Sequence, residues 1–208
     1  MPEFIKMGVI LMIVGAVATA VLALTEMVTR EPIQEAKRLE ILNALNEVLP
    51  EGFNNQPDMD TIQLVDSRLN RKEKPVTFYR ARVDESPLGA AFVVTAPDGY
   101  SGDIDIMMAV SPKGDITGIQ IVAHKETPGL GDKVLAATWR NVFKGKNLDN
   151  AKWGVKKDGG EFDQFSGATI TPRAIVAAIK KGLEFTKENS GRMFAPAEAP
   201  AADANPGT

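Results

Sequence analysis

Gly89-Ala-Ala-Phe-Val-Val-Thr-Ala-Pro-Asp-Gly-Tyr-Ser-Gly-Asp-Ile-Asp-Ile-Met-Met-Ala-Val110 decides the fold. Two runs rich in branched and apolar residues, 89–96 and 104–110, flank a Pro-Asp-Gly and Ser-Gly punctuation, the pattern of two strands joined by a tight turn. Working outward, residues 61–66, 76–83 and 116–123 have the same character, with Pro112-Lys-Gly114 as another turn. Helical spacing returns only later, at 132–143 and 172–187. Strands therefore cluster between helices, which predicts an α+β class with a mainly antiparallel sheet flanked by helices. No Gly-x-Gly-x-x-Gly follows a strand, and strand and helix do not alternate, so a doubly wound dinucleotide fold is not expected.

Further toward the N-terminus the period is lost. Residues 7–24 form an 18-residue stretch without a charge. As a helix rising about 1.5 Å per residue it spans roughly 27 Å, close to the hydrocarbon thickness of a bilayer. A cleaved signal peptide is the rival reading, because Ala18-Thr-Ala20 resembles a cleavage site, but the run is longer than a usual signal core, and a retained anchor is expected. Gly15, Thr19 and Ala23 recur at four-residue spacing beside Ala16 and Ala20, either a face for close helix approach or the ordinary alanine content of such a helix. After Pro32, residues 33–49 carry Ala36, Leu39, Leu42, Leu45 and Leu49 at helical intervals and predict a stalk. The expected organisation is an anchor at 1–29, a stalk at 30–50, a domain at 51–190 and an Ala/Pro-rich tail at 191–208.

The chain has 208 residues, 24 basic and 27 acidic, for a formal net charge of −3. That balance offers no basic face for nucleic acid. Cysteine is absent, which excludes disulfides, thiolate nucleophiles and cysteine-bound clusters, so any redox chemistry needs another cofactor. His124 is the one histidine; alone it makes a poor metal site and is read as structural.

Three short constellations could carry chemistry. Asp163-Gln-Phe-Ser-Gly-Ala-Thr169 precedes Thr171-Pro172 and a helical pattern in which Ile175, Ile179 and Leu183 share a face. Thr171 is the expected N-cap and Pro172 the first helical residue. Thr169 then lies just before a helix N-terminus, where open N–H groups and the dipole favour a phosphate. Gly167 and Ala168 leave room for a ligand, and Asp163 could orient a hydroxyl. Plain capping by Ser166 and its neighbours is the competing reading. The second constellation, Glu126-Thr-Pro-Gly-Leu-Gly131, offers Glu126 and Thr127 as polar contacts and Leu130 as an apolar one for a flat ring, or is an ordinary strand-to-helix turn. In the third, Gly99-Tyr-Ser-Gly102, Tyr100 either faces an aromatic cofactor or packs.

At these residues the chain resembles the FMN-binding domain family of bacterial respiratory complexes, whose Asp-x-x-Ser/Thr-Gly-Ala-Thr motif is matched without departure. The Glu-Thr-Pro-Gly-Leu-Gly and Gly-Tyr-x-Gly stretches match further family patterns. The resemblance is greatest to the G subunits of Rnf complexes, ion-translocating ferredoxin:NAD oxidoreductases. The C subunits of sodium-pumping NADH:quinone reductases share the motifs but are typically longer. The resemblance implies FMN joined covalently to Thr169 through a phosphoester, installed by a flavin transferase with FAD as donor. It implies that Asp163 and Ser166 support the loop, with Glu126, Thr127 and Leu130 against the flavin. It also implies an electron relay among other membrane subunits of the Rnf complex, with little turnover by this chain alone. Basic residues around the apolar run would place the domain in the cytoplasm; the family places it on the extracytoplasmic side of the bacterial cytoplasmic membrane. From another class, a single-pass scaffold or sensor would use the threonine loop only as a cap.

Overall fold

In a computed structural model that describes residues 2–196, five strands form one sheet in sequential order, every neighbouring pair antiparallel. They are β1 (Thr61–Leu64), β2 (Val76–Val83), β3 (Ser86–Gly99), β4 (Gly102–Val110) and β5 (Ile116–Ala123). The expected α+β class and all five strands are present. β3 is longer than its apolar run: it starts at Ser86 and continues through Pro97 and Asp98 to Gly99, where a register irregularity between Ala96 and Gly99 absorbs the proline. The reversal is thereby displaced onto Tyr100 and Ser101.

Alternation sends Phe92 and Val94 of β3, and Ile106 and Met108 of β4, to one face, all fully buried. Against that face packs α3 (Ile170–Met193), through Ile175, Ile179 and Leu183 as their spacing predicts. α3 starts earlier and ends later than the 172–187 expected. Phe185 stacks on Phe78, 5.6 Å between centroids, and Phe78 on Phe92, 4.6 Å. Gly118 of β5 pairs with Ala109 of β4, on the face away from Met108. Ala44, Leu45 and Val48 are buried there, and a Cβ on Gly118 would lie 2.7 Å from the Val48 Cα, so glycine is needed for this approach.

α1 runs unbroken from Glu3 to Val48, with Pro32 inside it. Anchor and stalk are thus one helix. Its apolar 18-residue window has no buried share, and it is long and apolar enough to cross a membrane. The single helix expected at 132–143 is instead a 3-10 turn (Gly131–Leu135), one α-turn, α2 (Ala137–Arg140), and a second 3-10 turn (Asn141–Phe143). Tertiary packing breaks it: Val134, Trp139 and Phe143 all enter the core, a set of positions that one regular helix would not turn to the same side.

The Ala/Pro-rich tail divides. Helix α3 extends through 191–193, and the Ala195 carbonyl accepts from the buried guanidinia of Arg80 (3.2 Å) and Arg82 (2.6 Å), both also bound to Asp60. Residues 191–196 thus belong to the domain. The remainder of the tail lies outside the described residues.

Candidate functional site

Three segments distant in sequence enclose a cavity of about 320 Å³: the β3–β4 turn, the loop after β5, and the start of α3. Tyr100, Glu126, Thr127 and Leu130 line it from the first two, and Gly167, Ala168 and Thr169 from the third. Asp163 and Ser166 do not line it. Two roomier grooves, of about 550 and 690 Å³, lie over the β2–β3 face and along β1.

The motif segment is shaped by a turn. Ala168 N–H donates to the Phe165 carbonyl at 3.0 Å, and Gly167 at φ +80° occupies the position where such a turn requires glycine. Ser166, at the turn's outer corner, is exposed. Asp163 acts through its backbone, since its carbonyl accepts from Trp139 Nε1 at 2.9 Å, while its exposed carboxylate pairs with Lys156 Nζ at 2.7 Å. Trp139 leans on Phe165 and Phe143, and Phe143 stacks on Phe162 at 4.6 Å. This aromatic cluster holds the turn, and the motif alone does not disclose it, although the Trp139/Phe143 spacing is visible in the sequence.

Thr169 itself is the N-cap of α3, and its hydroxyl makes no capping bond. Thr171 is not the cap. It sits in the first helical turn, fully buried, with its hydroxyl donating to Glu126 Oε2, and Pro172 follows as the third helical residue. The amides of Ile170 and Thr171 have no carbonyl one turn back, so the N-terminus presents donors beside the cavity. Arg173 secures this turn from outside: its two-pronged hydrogen bond, 2.6 and 2.9 Å, holds the Asp158 carboxyl below the usual range.

Glu126 is buried, with Oε1 accepting from the Ser101 N–H at 2.9 Å. Its own N–H donates to His124 Nδ1 at 3.1 Å, a structural role for that histidine. A Cβ on Gly131 would lie 2.7 Å from Glu126 Oε2, so the absent side chain makes room for the carboxylate. Gly129, at φ +77°, turns the loop. Gly131 lies in the quoted loop, whereas the parts that Ser101, Ile170 and Thr171 play in the site are ones the motifs did not disclose.

Residues 99–184 match the model of the FMN-binding domain, and residues 3–48 that of the RnfG N-terminal region. The class is therefore an FMN-binding domain carried behind a long apolar helix. Over 193 residues the chain is 39% identical to the G subunit of the ion-translocating oxidoreductase complex of Vibrio cholerae, covering 90% of this chain and 92% of that one. It is 39% identical over 203 residues to the corresponding G subunit of Pseudomonas aeruginosa, covering 95% of each. The chain belongs to the family of G subunits of ion-translocating oxidoreductase complexes. Among solved structures, NqrC of Shewanella oneidensis aligns with a TM-score of 0.44 at 26% identity, covering 66% of this chain and 70% of that one. The C subunit of the Na(+)-translocating NADH-quinone reductase of Parabacteroides distasonis gives 0.42 at 19%, covering 77% and 84%.

The residues present fit FMN. Open amides and an uncommitted hydroxyl suit a phosphate, and Tyr100, Leu130 and Ile170, 69%, 44% and 45% exposed, give a flat ring apolar surface at the rim. The cavity's volume lies at the small end of the roughly 300–1,000 Å³ of ligand sites, so part of the flavin would stay outside it.

Proposed function

We propose that this chain is a membrane-anchored electron-transfer subunit whose FMN is esterified to Thr169, working within an Rnf-type ion-translocating oxidoreductase. The observation that carries the reading is the uncapped Thr169 hydroxyl, at a helix N-terminus beside a cavity, in the last position of the matched motif. In maturation by a flavin transferase, the Thr169 oxygen bonds to the FMN-side phosphorus of FAD. The pyrophosphate bond to the AMP half breaks, AMP leaves, and the hydroxyl proton passes to solvent.

Bound FMN supplies one- and two-electron transfer; the protein supplies orientation and electrostatics. The Ile170 and Thr171 amides, with the α3 dipole, offset phosphate charge. Leu130 and Tyr100 offer surface to the ring, with Thr127 as a polar neighbour, and Asp163 and Ser166 shape the attachment turn. α1 anchors the chain in the cytoplasmic membrane with the domain on the extracytoplasmic side, beside the other membrane subunits of the complex that give and take electrons.

The test is co-expression of the full chain with a flavin transferase, followed by a denaturing gel under ultraviolet light and intact mass measurement. Wild type should fluoresce and carry the mass of one FMN, and Thr169→Val should do neither. A colourless wild-type chain of unmodified mass would favour a scaffold or sensor instead.

A further inference from the structure

Glu126 stands apart from the other lining residues. It is 5% exposed, and its two oxygens are each taken by a protein donor, Oε1 by the Ser101 N–H at 2.9 Å and Oε2 by the Thr171 hydroxyl. With both oxygens accepting, the group has the bonding pattern of a carboxylate. Among the described residues it has no ion-pair partner, whereas the less deeply buried Asp60 of the same domain binds two arginines. It therefore contributes an unneutralised negative charge beneath the cavity. The same two bonds join the β3–β4 turn, which carries Tyr100, to the first turn of α3, which follows Thr169. Gly131 leaves the space this junction needs.

We propose that Glu126 is a positioning residue that joins these two walls and, through its buried charge, holds down the reduction potential of an FMN on Thr169. This rests on the reading of Thr169 as the attachment site. A fixed anion in a poorly solvated place disfavours adding an electron nearby, and the effect is larger there than in water. The direction is therefore set: removing the charge makes the flavin easier to reduce.

Two variants separate charge from shape. In Glu126→Gln the amide can still accept from Ser101 and donate to Thr171, whose hydroxyl can turn to accept. Glu126→Asp keeps the charge but shortens the reach. Both are made in the full chain, flavinylated by co-expression with the transferase, and their midpoint potentials measured by spectroelectrochemical titration against wild type. Glu126→Gln should shift the oxidised-to-reduced ratio at fixed potential by roughly tenfold or more toward reduced, about 30 mV for a two-electron couple. Glu126→Asp should stay near the wild-type potential while its flavin absorption or fluorescence changes as the walls loosen. An unchanged potential in fully flavinylated Glu126→Gln overturns the proposal, as does an equal rise in both variants. Should Glu126→Gln fail to take up flavin, Glu126→Asp decides alone: a wild-type potential with an altered flavin spectrum supports the role, and a raised potential overturns it. A wild-type chain without covalent flavin fails the attachment reading instead, and is seen separately by mass.

Discussion

α1 and α3 are both long, regular helices, yet they bury opposite fractions of their apolar side chains. Along α1, Leu11, Ile13, Val14, Val17 and Val21 are all more than half exposed, and apolar residues occur on every side. In α3, Ile175, Ile179 and Leu183 are buried on one face while Lys180, Lys181 and Lys187 remain outside. A helix apolar all round requires an apolar solvent, whereas an amphipathic one requires a protein surface. The difference also separates their roles. The first part of α1 is long and apolar enough to cross a membrane, and α3 is held by the sheet so that its N-terminus presents open amides to the cavity.

Four substitutions would break or sharpen that contrast. Ile179→Ala, at a fully buried position of α3, should cost about 2–5 kcal/mol, measured by urea unfolding in detergent. A loss below about 1 kcal/mol would mean that this face does not secure α3. Val14→Arg, central in the apolar run of α1, should disfavour membrane insertion by about 2.5–3.5 kcal/mol, seen as loss from the membrane fraction. The domain's melting temperature should not change, because nothing of that helix window is buried.

Glycine gives a matched pair. At Gly182 a Cβ would meet Met108 Sδ at 2.6 Å and Phe92 at 3.6 Å, whereas at Gly15 it meets nothing within 4 Å. Alanine favours a helix over glycine by about 1 kcal/mol, but overpacking costs about 1–3 kcal/mol. Gly182→Ala should therefore lower the melting temperature, and Gly15→Ala should not. Equal effects would erase the distinction between a packed helix and an unpacked one.

The smallest effect concerns pH. Arg68 hydrogen-bonds Asp66 and also pairs with Glu188 of α3 at 2.8 Å, and its hydrogen bond holds the Asp66 carboxyl below its ordinary value of 3.8. A carboxyl depressed in the folded state stabilises the fold above its unfolded pKa, and that contribution is lost as pH falls through the folded one. The window therefore lies below about pH 4. With both groups partly solvated, the contribution should be about 0–1 kcal/mol. Melting curves from pH 6 to 3 should show a slightly steeper acid loss for wild type than for Asp66→Asn.

The strands were legible because their signal is local: alternation over 61–123 and turn residues between runs suffice to predict five antiparallel strands. The helix at 132–143 was not, since Trp139 and Phe143 are placed by aromatic partners more than ten residues further along. Thr171 looked like a cap because Thr-Pro before an apolar period is a common helix start. The chain enters helical geometry two residues earlier, at Ile170, and Glu126 engages the hydroxyl.

By itself the sequence determined the long apolar helix, the class of the sheet and the threonine motif, each of which depends on neighbours a few positions apart. Only the tertiary structure decided that Ser101, Glu126 and Thr171 meet, across separations of 25 and 45 residues. Backbone preference acts over a turn or a strand, while a cavity wall is selected by burial and hydrogen-bond satisfaction among segments the chain brings together only once folded.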